Sequence, residues 1–314
     1  MPTPVIVTCA LTGGMTVPSQ SSAIPIRPED IIAEGIAAAQ AGASVLHIHV
    51  RDPETGAPSA DIALFDEVLE GLAAETDAVL QPTTGGGIGM TMEERTAVLP
   101  RFRPEMATFN AGSINFGLFP ILDRGLELAD WERSYLERSR GYVFSNSFQD
   151  LESLCQKVRG AETKPEIEIY DVGQINNVHH LVREGRLDVP LHLQFVLGVL
   201  GGNVADLDQL LHMLRTAERA FGEDQFTWSA AGVGYRGEFQ LAAASLILGG
   251  HIRVGLEDNL RRSESEQAKS NSDLVHKATE LALLLDREPT SPTETRRLLG
   301  LKGADQTEIP RTTA

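Results

Sequence analysis

Short apolar runs with polar residues at alternate positions recur along the chain, and longer amphipathic stretches separate them. Because side chains two residues apart lie on one face of a β-strand, this alternation predicts strands. Eight strands are predicted, over residues 5–10, 44–50, 78–82, 106–110, 166–170, 191–196, 226–230 and 251–256. A short run at residues 142–145 is open to two interpretations, an additional strand or no strand.

Apolar residues at helical spacing fill most of the segments between these strands. They predict helices over residues 28–40, 60–74, 92–98, 151–158, 175–183, 204–220 and 238–248, and a further helix around Trp131. Two terminal helices are predicted over residues 272–286 and 293–299, within an extension at about residues 263–314. Ser291 and Glu294 form a capping-box pattern at the start of the second one.

Strands that alternate with helices favour a parallel sheet, either a TIM (β/α)8 barrel or a doubly wound open sheet. The first strand is followed by Thr12-Gly13-Gly14, not by the G-x-G-x-x-G pattern of dinucleotide-binding sheets. Most strands also have one polar face, whereas strands of an open sheet between helices are almost continuously apolar. We therefore predict an α/β TIM (β/α)8 barrel, a single domain over residues 1–314 with a C-terminal helical extension. The polar positions are His47, His49, Gln81, Thr83, Thr108, Asn110, Glu166, Glu168, His192, Gln194, Thr227, Ser229, His251, Arg253 and Glu257.

Composition and charge narrow the class of protein. Hydrophobic residues make up 42% of the sequence and charged residues 23%, which is typical of a soluble enzyme. The net charge of −17 argues against a nucleic-acid-binding or anionic-membrane surface. No apolar run approaches the ~20 residues of a membrane span, and we expect no signal peptide. The two cysteines, Cys9 and Cys155, are far apart, which fits a reducing cytoplasm.

The first candidate site is a pair of histidines, His47 and His49, at the end of the second predicted strand. Their spacing puts both imidazoles on one face of the strand. The polar turn over residues 52–56 follows, so the pair lies at the end of the strand where α/β proteins place their chemistry. The two histidines are therefore either metal ligands or core residues that form hydrogen bonds with their neighbours.

The second candidate site lies at the end of the eighth predicted strand, where alternation places Arg253 and Glu257 on the same inward face. In a closed barrel this strand is next to the first, and the first is next to the second, so Glu257 can converge with the histidines. Two histidines and a carboxylate form a typical catalytic zinc site. The alternative is that Glu257 and Asp258 cap the following turn. Arg253 with Asp258 is either an acid/base unit or a structural ion pair.

Other polar residues have less specific patterns. The Thr83-Thr84-Gly85-Gly86-Gly87 loop can hold an anion with its backbone N–H groups. Glu168 faces the same lumen and either contacts substrate or pairs with an interior arginine. His192 and His251 are lumen residues without an assigned role. His179 and His180 lie on a predicted helix and point apart, which is typical of surface residues.

Several sequence blocks together resemble the β-keto acid cleavage enzyme family, whose best-known type is 3-keto-5-aminohexanoate cleavage enzyme. The resemblance runs nearly from end to end. The two most specific blocks are His47-Ile48-His49-Val50-Arg51-Asp52-Pro53 and Arg253-Val254-Gly255-Leu256-Glu257-Asp258-Asn259. Shorter blocks are Ala23-Ile24-Pro25, Ala41-Gly42-Ala43, Thr83-Thr84-Gly85-Gly86, Pro104-Glu105-Met106-Ala107, Asn110-Ala111-Gly112-Ser113, Pro165-Glu166-Ile167-Glu168 and Asp171-Val172-Gly173.

The resemblance implies a TIM barrel that binds Zn2+ or another divalent metal through His47, His49 and Glu257. It implies a reaction in which a β-keto acid and acetyl-CoA become acetoacetate and the acyl-CoA of the shortened substrate. The residue matching Asp258, assisted by that matching Arg253, removes a proton next to the carbonyl, and Glu168 matches an acidic residue of the site. The implied assembly is a homo-oligomer, with a tetramer as the suggested form. The positions that hold the substrate match Thr83, Gly86, Thr108 and Asn110.

The sequence departs from the family pattern at two places. Members that take an amino substrate have an acidic side chain after the first strand, where this chain has Gly13-Gly14-Met15-Thr16. We therefore expect Met15 to face a neutral or apolar side group of the substrate. Gln174 also stands where a histidine is expected. The alternative functions are a zinc-dependent hydrolase or aldolase that does not use CoA, and a non-catalytic protein that binds CoA or an organic acid.

Overall fold

Parallel strands that curve into a barrel lie at the centre of this structure, a computed structural model in which residues 4–310 are described. The eight strands are β1 (Val7–Ala10), β2 (Val45–Ile48), β3 (Val79–Pro82), β4 (Met106–Asn110), β5 (Lys164–Ile169), β6 (Leu191–Leu197), β7 (Phe226–Gly232) and β8 (His251–Val254). Hydrogen bonds join them in the order β3-β2-β1-β8-β7-β6-β5-β4. The first and last strands of this order are consecutive along the chain, as closure of a (β/α)8 barrel requires.

The seam between β3 and β4 completes the barrel without a regular ladder among residues 4–310. The backbone N–H of Thr84 donates to the Thr108 hydroxyl at 2.9 Å, and the Thr84 hydroxyl donates to the Thr108 carbonyl oxygen at 2.7 Å. These two bonds hold the ends of the strands together. The predicted TIM (β/α)8 barrel is confirmed, and the doubly wound open sheet is excluded.

The helices surround this barrel. They are α1 (Pro28–Gln40), α2 (Ile62–Glu75), α3 (Met92–Thr96), α4 (Val98–Phe102), α5 (Asp130–Arg138), α6 (Phe148–Gly160), α7 (Val172–Arg183), α8 (Leu207–Phe221), α9 (Tyr235–Ile247), α10 (Asn271–Leu284) and α11 (Pro292–Leu299). Apolar side chains such as Leu46 and Ile48 join Phe65 and Leu69 in a continuous core. Because successive side chains of a strand point to opposite faces, packing of Leu46 and Ile48 in this core directs His47 into the lumen.

The two terminal helices pack at the side and at the N-terminal end of the barrel, and neither covers the C-terminal ends of the strands. Helix α10 packs against α1 and β1. Arg296 of α11 donates to both carboxylate oxygens of Glu105 at 2.9 Å. Leu299 of α11 packs with Ile6 and Val79 at the N-terminal ends of the strands. Helix α11 therefore closes this end, and the site is left to the loops at the opposite end.

The structure corrects several predicted boundaries. The predicted helix over residues 92–98 is divided into α3 and α4, and the helix predicted at 204–220 begins at Leu207. Residues 142–145 do contain a short strand, Val143–Phe144, but it pairs antiparallel with Ile114–Asn115 outside the barrel. The predicted eighth strand ends at Val254 because Gly255, with a φ of +147°, turns the chain.

The described residues contain no helix that combines the length and the apolar character needed to cross a membrane.

Candidate metal and substrate site

A cleft of about 550 Å³ lies at the C-terminal ends of the barrel strands. It brings together residues that are far apart in sequence, from β2, β4, β5, β8 and the loops that follow β1, β3 and β8. Nine of the predicted site residues line the cleft: Met15, His47, His49, Thr83, Gly86, Asn110, Glu168, Arg253 and Glu257.

The centre of the cleft is formed by His47, His49 and Glu257. Nε2 of His47 lies 3.5 Å from Oε2 of Glu257, and Nε2 of His49 lies 3.7 Å from Oε1. The possible ligand atoms of the three residues are all within 4.8 Å of one another. All three side chains are buried. This spacing lets one ion contact the three residues together.

A turn, not strand alternation, brings Glu257 to the histidines. Gly255 ends β8 in a conformation that favours glycine, and a Cβ there would lie 2.2 Å from the Ala10 carbonyl oxygen. The backbone N–H of Gly255 donates to Oε1 of Glu238 at 3.0 Å, and that of Glu257 donates to Ala10 O at 3.2 Å. The predicted convergence of Glu257 with the histidines is therefore present, but its cause is this anchored turn against β1.

The donor set fits a divalent metal. Burial lowers the pKa of His47 to about 3 and also lowers the pKa of His49, so both imidazoles are neutral and keep a lone pair. Burial works against ionisation of Glu257, but the charge of Arg253 and the hydrogen bond from it lower the pKa of the Glu257 carboxyl. Oε2 of Glu257 is buried and has no hydrogen-bond partner among residues 4–310. Neutral imidazole and carboxylate oxygen are the ligands of catalytic zinc sites.

A hydrogen-bonded chain behind His47 determines which of its ring nitrogens faces the cleft. Nε2 of Gln81 donates to Oε1 of Glu166 at 3.0 Å, and Oε1 of Gln81 lies 3.0 Å from Nδ1 of His47. Nε2 of His192 lies 3.2 Å from the other oxygen of Glu166, and although burial opposes ionisation, His192 lowers the pKa of Glu166. A carboxylate only accepts hydrogen bonds, so the Gln81 carbonyl oxygen must face His47. Nδ1 of His47 then carries the hydrogen, and Nε2 remains free as a ligand.

Arg253 connects the candidate catalytic carboxylates. Its Nε and Nη2 donate to the two oxygens of Asp258 at 2.8 and 3.0 Å. Nη2 also donates to Glu257 at 2.8 Å, and Nη1 donates to Glu168 at 3.3 Å. Burial disfavours the charge of Arg253, but Asp258 and Glu257 outweigh it and raise the pKa of the guanidinium. The arginine is therefore permanently charged and orients three carboxyl groups.

The carboxyl groups of Glu168 and Asp258 differ in position. Glu168 lines the cleft, and burial raises its pKa to about 8. Asp258 has no exposed side-chain surface and does not line the cleft, and burial raises its pKa as well. Asp258 instead borders a second cavity, formed by segments within residues 117–124, 198–200, 233–235 and 257–261.

The predicted substrate residues separate into two groups. Met15, Thr83, Gly86 and Asn110 line the cleft. The amide nitrogen and oxygen of Asn110 are buried without a hydrogen-bond partner in the described part of the chain, which leaves both free for a ligand. Thr108 does not line the cleft: its side chain is fully buried, and its hydroxyl accepts the bond from Thr84 at the strand seam. Its place among the substrate-binding residues stays a prediction.

An aromatic wall of the cleft was missed by the sequence analysis. Phe116, Tyr142, Phe144 and Tyr170 line the cleft together with the histidines. The Phe116 ring packs edge-on against Phe144 and Tyr170, with centroid distances of 5.8 and 6.5 Å. Three of the four lie in the irregular segment between β4 and α6. Their aromatic side chains were visible in the sequence, but no periodicity indicated that this segment folds over the barrel.

Arg51 supports the loop that faces Glu257. Its fully buried guanidinium donates to the carbonyl oxygens of Thr12, Gly13 and Thr16 at 2.9, 2.8 and 3.0 Å. Gly13 has a φ of +63°, and a Cβ there would lie 2.2 Å from Cγ of Glu257. The loop therefore approaches Glu257 as closely as a glycine permits.

We expect Gly13→Ala to destabilise the fold by about 1–3 kcal/mol more than Gly89→Ala, because overpacking is added to backbone strain. Gly89 is a matched control: its φ is +94°, but a Cβ there would meet no atom of the described residues within 4 Å. Denaturant unfolding of both variants measures the difference. Equal losses of stability would show that Glu257 moves aside at no cost.

The remaining polar residues have structural contacts. Gln174 accepts from the Tyr170 backbone N–H at 2.8 Å and donates to the Gly112 carbonyl oxygen at 3.3 Å, so it joins the ends of β4 and β5. His251 accepts from the backbone N–H of Ile6 at 3.1 Å, near the closed end of the barrel. His179 and His180 lie on α7, away from the cleft.

Comparison with known proteins decides the family. The family model described as beta-keto acid cleavage enzyme matches residues 4–301. The chain belongs to this family. The match includes every residue of the metal and substrate site described above.

Individual members of the family are similar over almost the whole chain. One is the 3,5-dioxohexanoate:acetyl-CoA acetone transferase of Paraburkholderia graminis, 42% identical over 97% of this chain and 98% of the relative. Another is the 3-keto-5-aminohexanoate cleavage enzyme of Fusobacterium nucleatum, 34% identical over 95% of this chain and 98% of the relative. The solved apo structure of ObcA, 20% identical, has the same fold with a TM-score of 0.72 over 90% of this chain and 66% of that protein.

Proposed function

We propose that this protein transfers acyl groups between a β-keto acid and acetyl-CoA. In the balanced reaction, R–CO–CH₂–COO⁻ and acetyl-CoA give acetoacetate and R–CO–CoA. The observation that carries the proposal is the cluster of two neutral histidines and Glu257 next to the Asp258–Arg253 pair. The names of both relatives described above specify a β-keto acid as the substrate. The name of the Paraburkholderia relative also specifies acetyl-CoA.

His47, His49 and Glu257 are the proposed ligands of a divalent metal, for which zinc suits the donor set. When bound there, the metal supplies a Lewis acid that stabilises negative charge developing on a carbonyl oxygen. The protein contributes the orientation of the ligands. Gln81 holds the His47 ring, and Arg253 holds one oxygen of Glu257 while the other remains free.

Asp258 is the proposed base that removes a proton from the carbon between the keto and carboxylate groups. Arg253 binds both oxygens of Asp258 and keeps the carboxylate oriented for this step. The resulting carbanion attacks the acetyl thioester and releases CoA thiolate. The thiolate then attacks the original keto carbon, and cleavage of the bond from this carbon to its neighbour releases the acyl-CoA and the carbanion of acetoacetate. The proton held by Asp258 returns to this carbanion and gives acetoacetate. Glu168 and the free amide of Asn110 are placed to bind the polar groups of the substrate.

A neutral side group R is the proposed substrate feature. The far wall of the cleft consists of Met15, Phe116, Tyr142 and Phe144 and carries no charge. Its nearest acids in the cleft, Glu168 and Glu257, are already bonded to Arg253. Burying a cation against this wall would leave the charge without a partner, which is costly. The name of the Paraburkholderia relative specifies 3,5-dioxohexanoate, whose side group is uncharged.

We expect acetoacetate to form only when acetyl-CoA and a β-keto acid are both present. Among β-keto acids of equal length with a methyl ketone, an ammonium or a carboxylate end group, the neutral one should have the highest kcat/KM, by at least about tenfold. The measurement is acetoacetate release together with the appearance of the new acyl-CoA. Cleavage without any CoA ester would favour the zinc-dependent hydrolase or aldolase instead. Binding of the same compounds without turnover would favour a non-catalytic binding protein.

Replacing Gln81 tests the support of the metal ligand. We expect Gln81→Leu to weaken metal binding by about 10–100-fold, because Nδ1 of His47 loses its acceptor and the ring loses its fixed orientation. Competition with a chelator of known affinity measures the dissociation constant, and circular dichroism of the metal-free variant checks its folding. A folded variant that binds metal as tightly as the original protein would show that the Gln81 contact has no part in ligand orientation.

A further inference from the structure

A second cavity, of about 1050 Å³, opens beside the cleft. Its walls are the segments within residues 117–124, 198–200, 233–235 and 257–261 introduced above. Met15 and Glu257 line both spaces, so the second cavity borders the reaction site directly. Asp258, the proposed base, borders the second cavity and not the cleft, although its side chain has no exposed surface. A ligand in the second cavity would therefore present its end to Met15 and Glu257, which a ligand in the cleft also meets.

The inner walls of the second cavity are largely apolar. Leu118, Ile121, Val199 and Val233 line it, and the backbone is accessible at Gly198 and Gly234. Such a lining suits a long, uncharged, flexible chain whose few amide groups bond to the backbone.

Two arginines line the second cavity together with the acids Glu257 and Asp258, in a chain whose net charge is −17. Arg124 and Arg261 both line the cavity. Neither forms an ion pair with a carboxylate within residues 4–310. Arg261 donates to the carbonyl oxygens of Ser263 and Glu264, which hold its guanidinium in place without neutralising it. Two guanidinium groups without a carboxylate partner in the lining of one cavity favour a polyanion such as a phosphorylated nucleotide.

We propose that the second cavity binds acetyl-CoA, with the pantetheine arm along its apolar walls and the nucleotide phosphates at Arg124 and Arg261. This assignment rests on the proposed acyl transfer and extends it by placing the co-substrate. The arm enters beside Met15 and delivers the thioester to the boundary with the cleft, next to Glu257 and Asp258. The β-keto acid and the thioester thus reach the reaction site from different sides.

The test compares the KM for acetyl-CoA with the KM for the β-keto acid in an Arg124→Ala, Arg261→Ala double variant. We expect the KM for acetyl-CoA to rise about tenfold or more at low ionic strength, since two charge-assisted contacts are lost. The KM for the β-keto acid should not change. With S-acetylpantetheine, which lacks the nucleotide phosphates, kcat/KM should be the same for the double variant and the original protein. Arg215→Ala, which removes an exposed arginine of α8 outside both cavities, is the charge-matched control.

Arg261 also holds its own loop, so Arg261→Lys is included to separate charge from loop structure. Recovery of most of the acetyl-CoA affinity by Lys supports phosphate binding, because lysine keeps the positive charge. An unchanged KM for acetyl-CoA in the double variant, or an equal loss with S-acetylpantetheine, would overturn the assignment. If the original protein shows no acetyl-CoA-dependent turnover, the proposed function fails. In that case, titration calorimetry with CoA still tests the cavity, and equal affinity for the original protein and the double variant rejects it.

Discussion

Replacing both histidines, His47→Ala and His49→Ala, should remove the divalent metal from the purified protein and lower kcat/KM by about a thousandfold or more. Two of the three proposed ligands are lost, and the remaining Glu257 is already bonded to Arg253. A Lewis acid contributes several kcal/mol to stabilising a developing oxyanion, and about 4 kcal/mol corresponds to a thousandfold in rate. Elemental analysis measures the metal, and acetoacetate release measures the rate.

The matched control for this experiment is the double variant His179→Ala, His180→Ala. It also removes two histidines, but from α7, outside the cleft. It should keep both its metal and its activity. A full metal content in the His47, His49 double variant would defeat the assignment of the ligands, whatever happened to the rate.

Replacing the proposed base by Asp258→Asn should lower kcat by about 10²–10⁴-fold, the range expected when a positioned general base is removed. Asparagine keeps the size of the side chain, and Arg253 retains Glu257 and Glu168 as partners. A large structural change is therefore not expected. Circular dichroism and the metal content of the variant check this point directly.

A proton-exchange experiment distinguishes the role of Asp258 from that of Glu168, the other carboxyl group proposed to act on the substrate. In D₂O, with the β-keto acid alone, the original protein should exchange the proton between the keto and carboxylate groups faster than the uncatalysed rate. Asp258→Asn should abolish this acceleration. Glu168→Gln should weaken substrate binding and retain exchange at saturating substrate. The reverse pattern would identify Glu168, which lines the cleft and has its pKa raised to about 8 by burial, as the base.

The barrel was predictable from the sequence because its strands carry a simple alternation. Leu46 and Ile48 had to face an apolar layer, so His47 had to face the lumen. The same argument failed for β8 beyond Val254. Alternation predicted that Glu257 follows Arg253 inward along one strand, whereas the anchored turn at Gly255 brings it there.

Residues that act through partners on other strands were predicted less well. Thr108 has the position expected of a substrate residue, but the unpaired seam between β3 and β4 uses its hydroxyl for closure. Gln81 and Glu166 were visible only as polar lumen positions. Their connection to His47 depends on three strands meeting across the barrel, which no local pattern records.

The sequence by itself determined the barrel, the pair of histidines at the end of β2, and the absence of an acid in the loop that follows β1. These features depend only on residues that are adjacent in sequence, because the alternation of side chains along a strand is a local property of the backbone. The tertiary structure alone decided how the segment between β4 and α6 covers the cleft with Phe116, Tyr142 and Phe144. It also decided how loops after five strands enclose a second cavity whose lining includes Arg124 and Arg261. Contacts between distant loops depend on packing of the whole chain, and they leave no periodic pattern in the sequence.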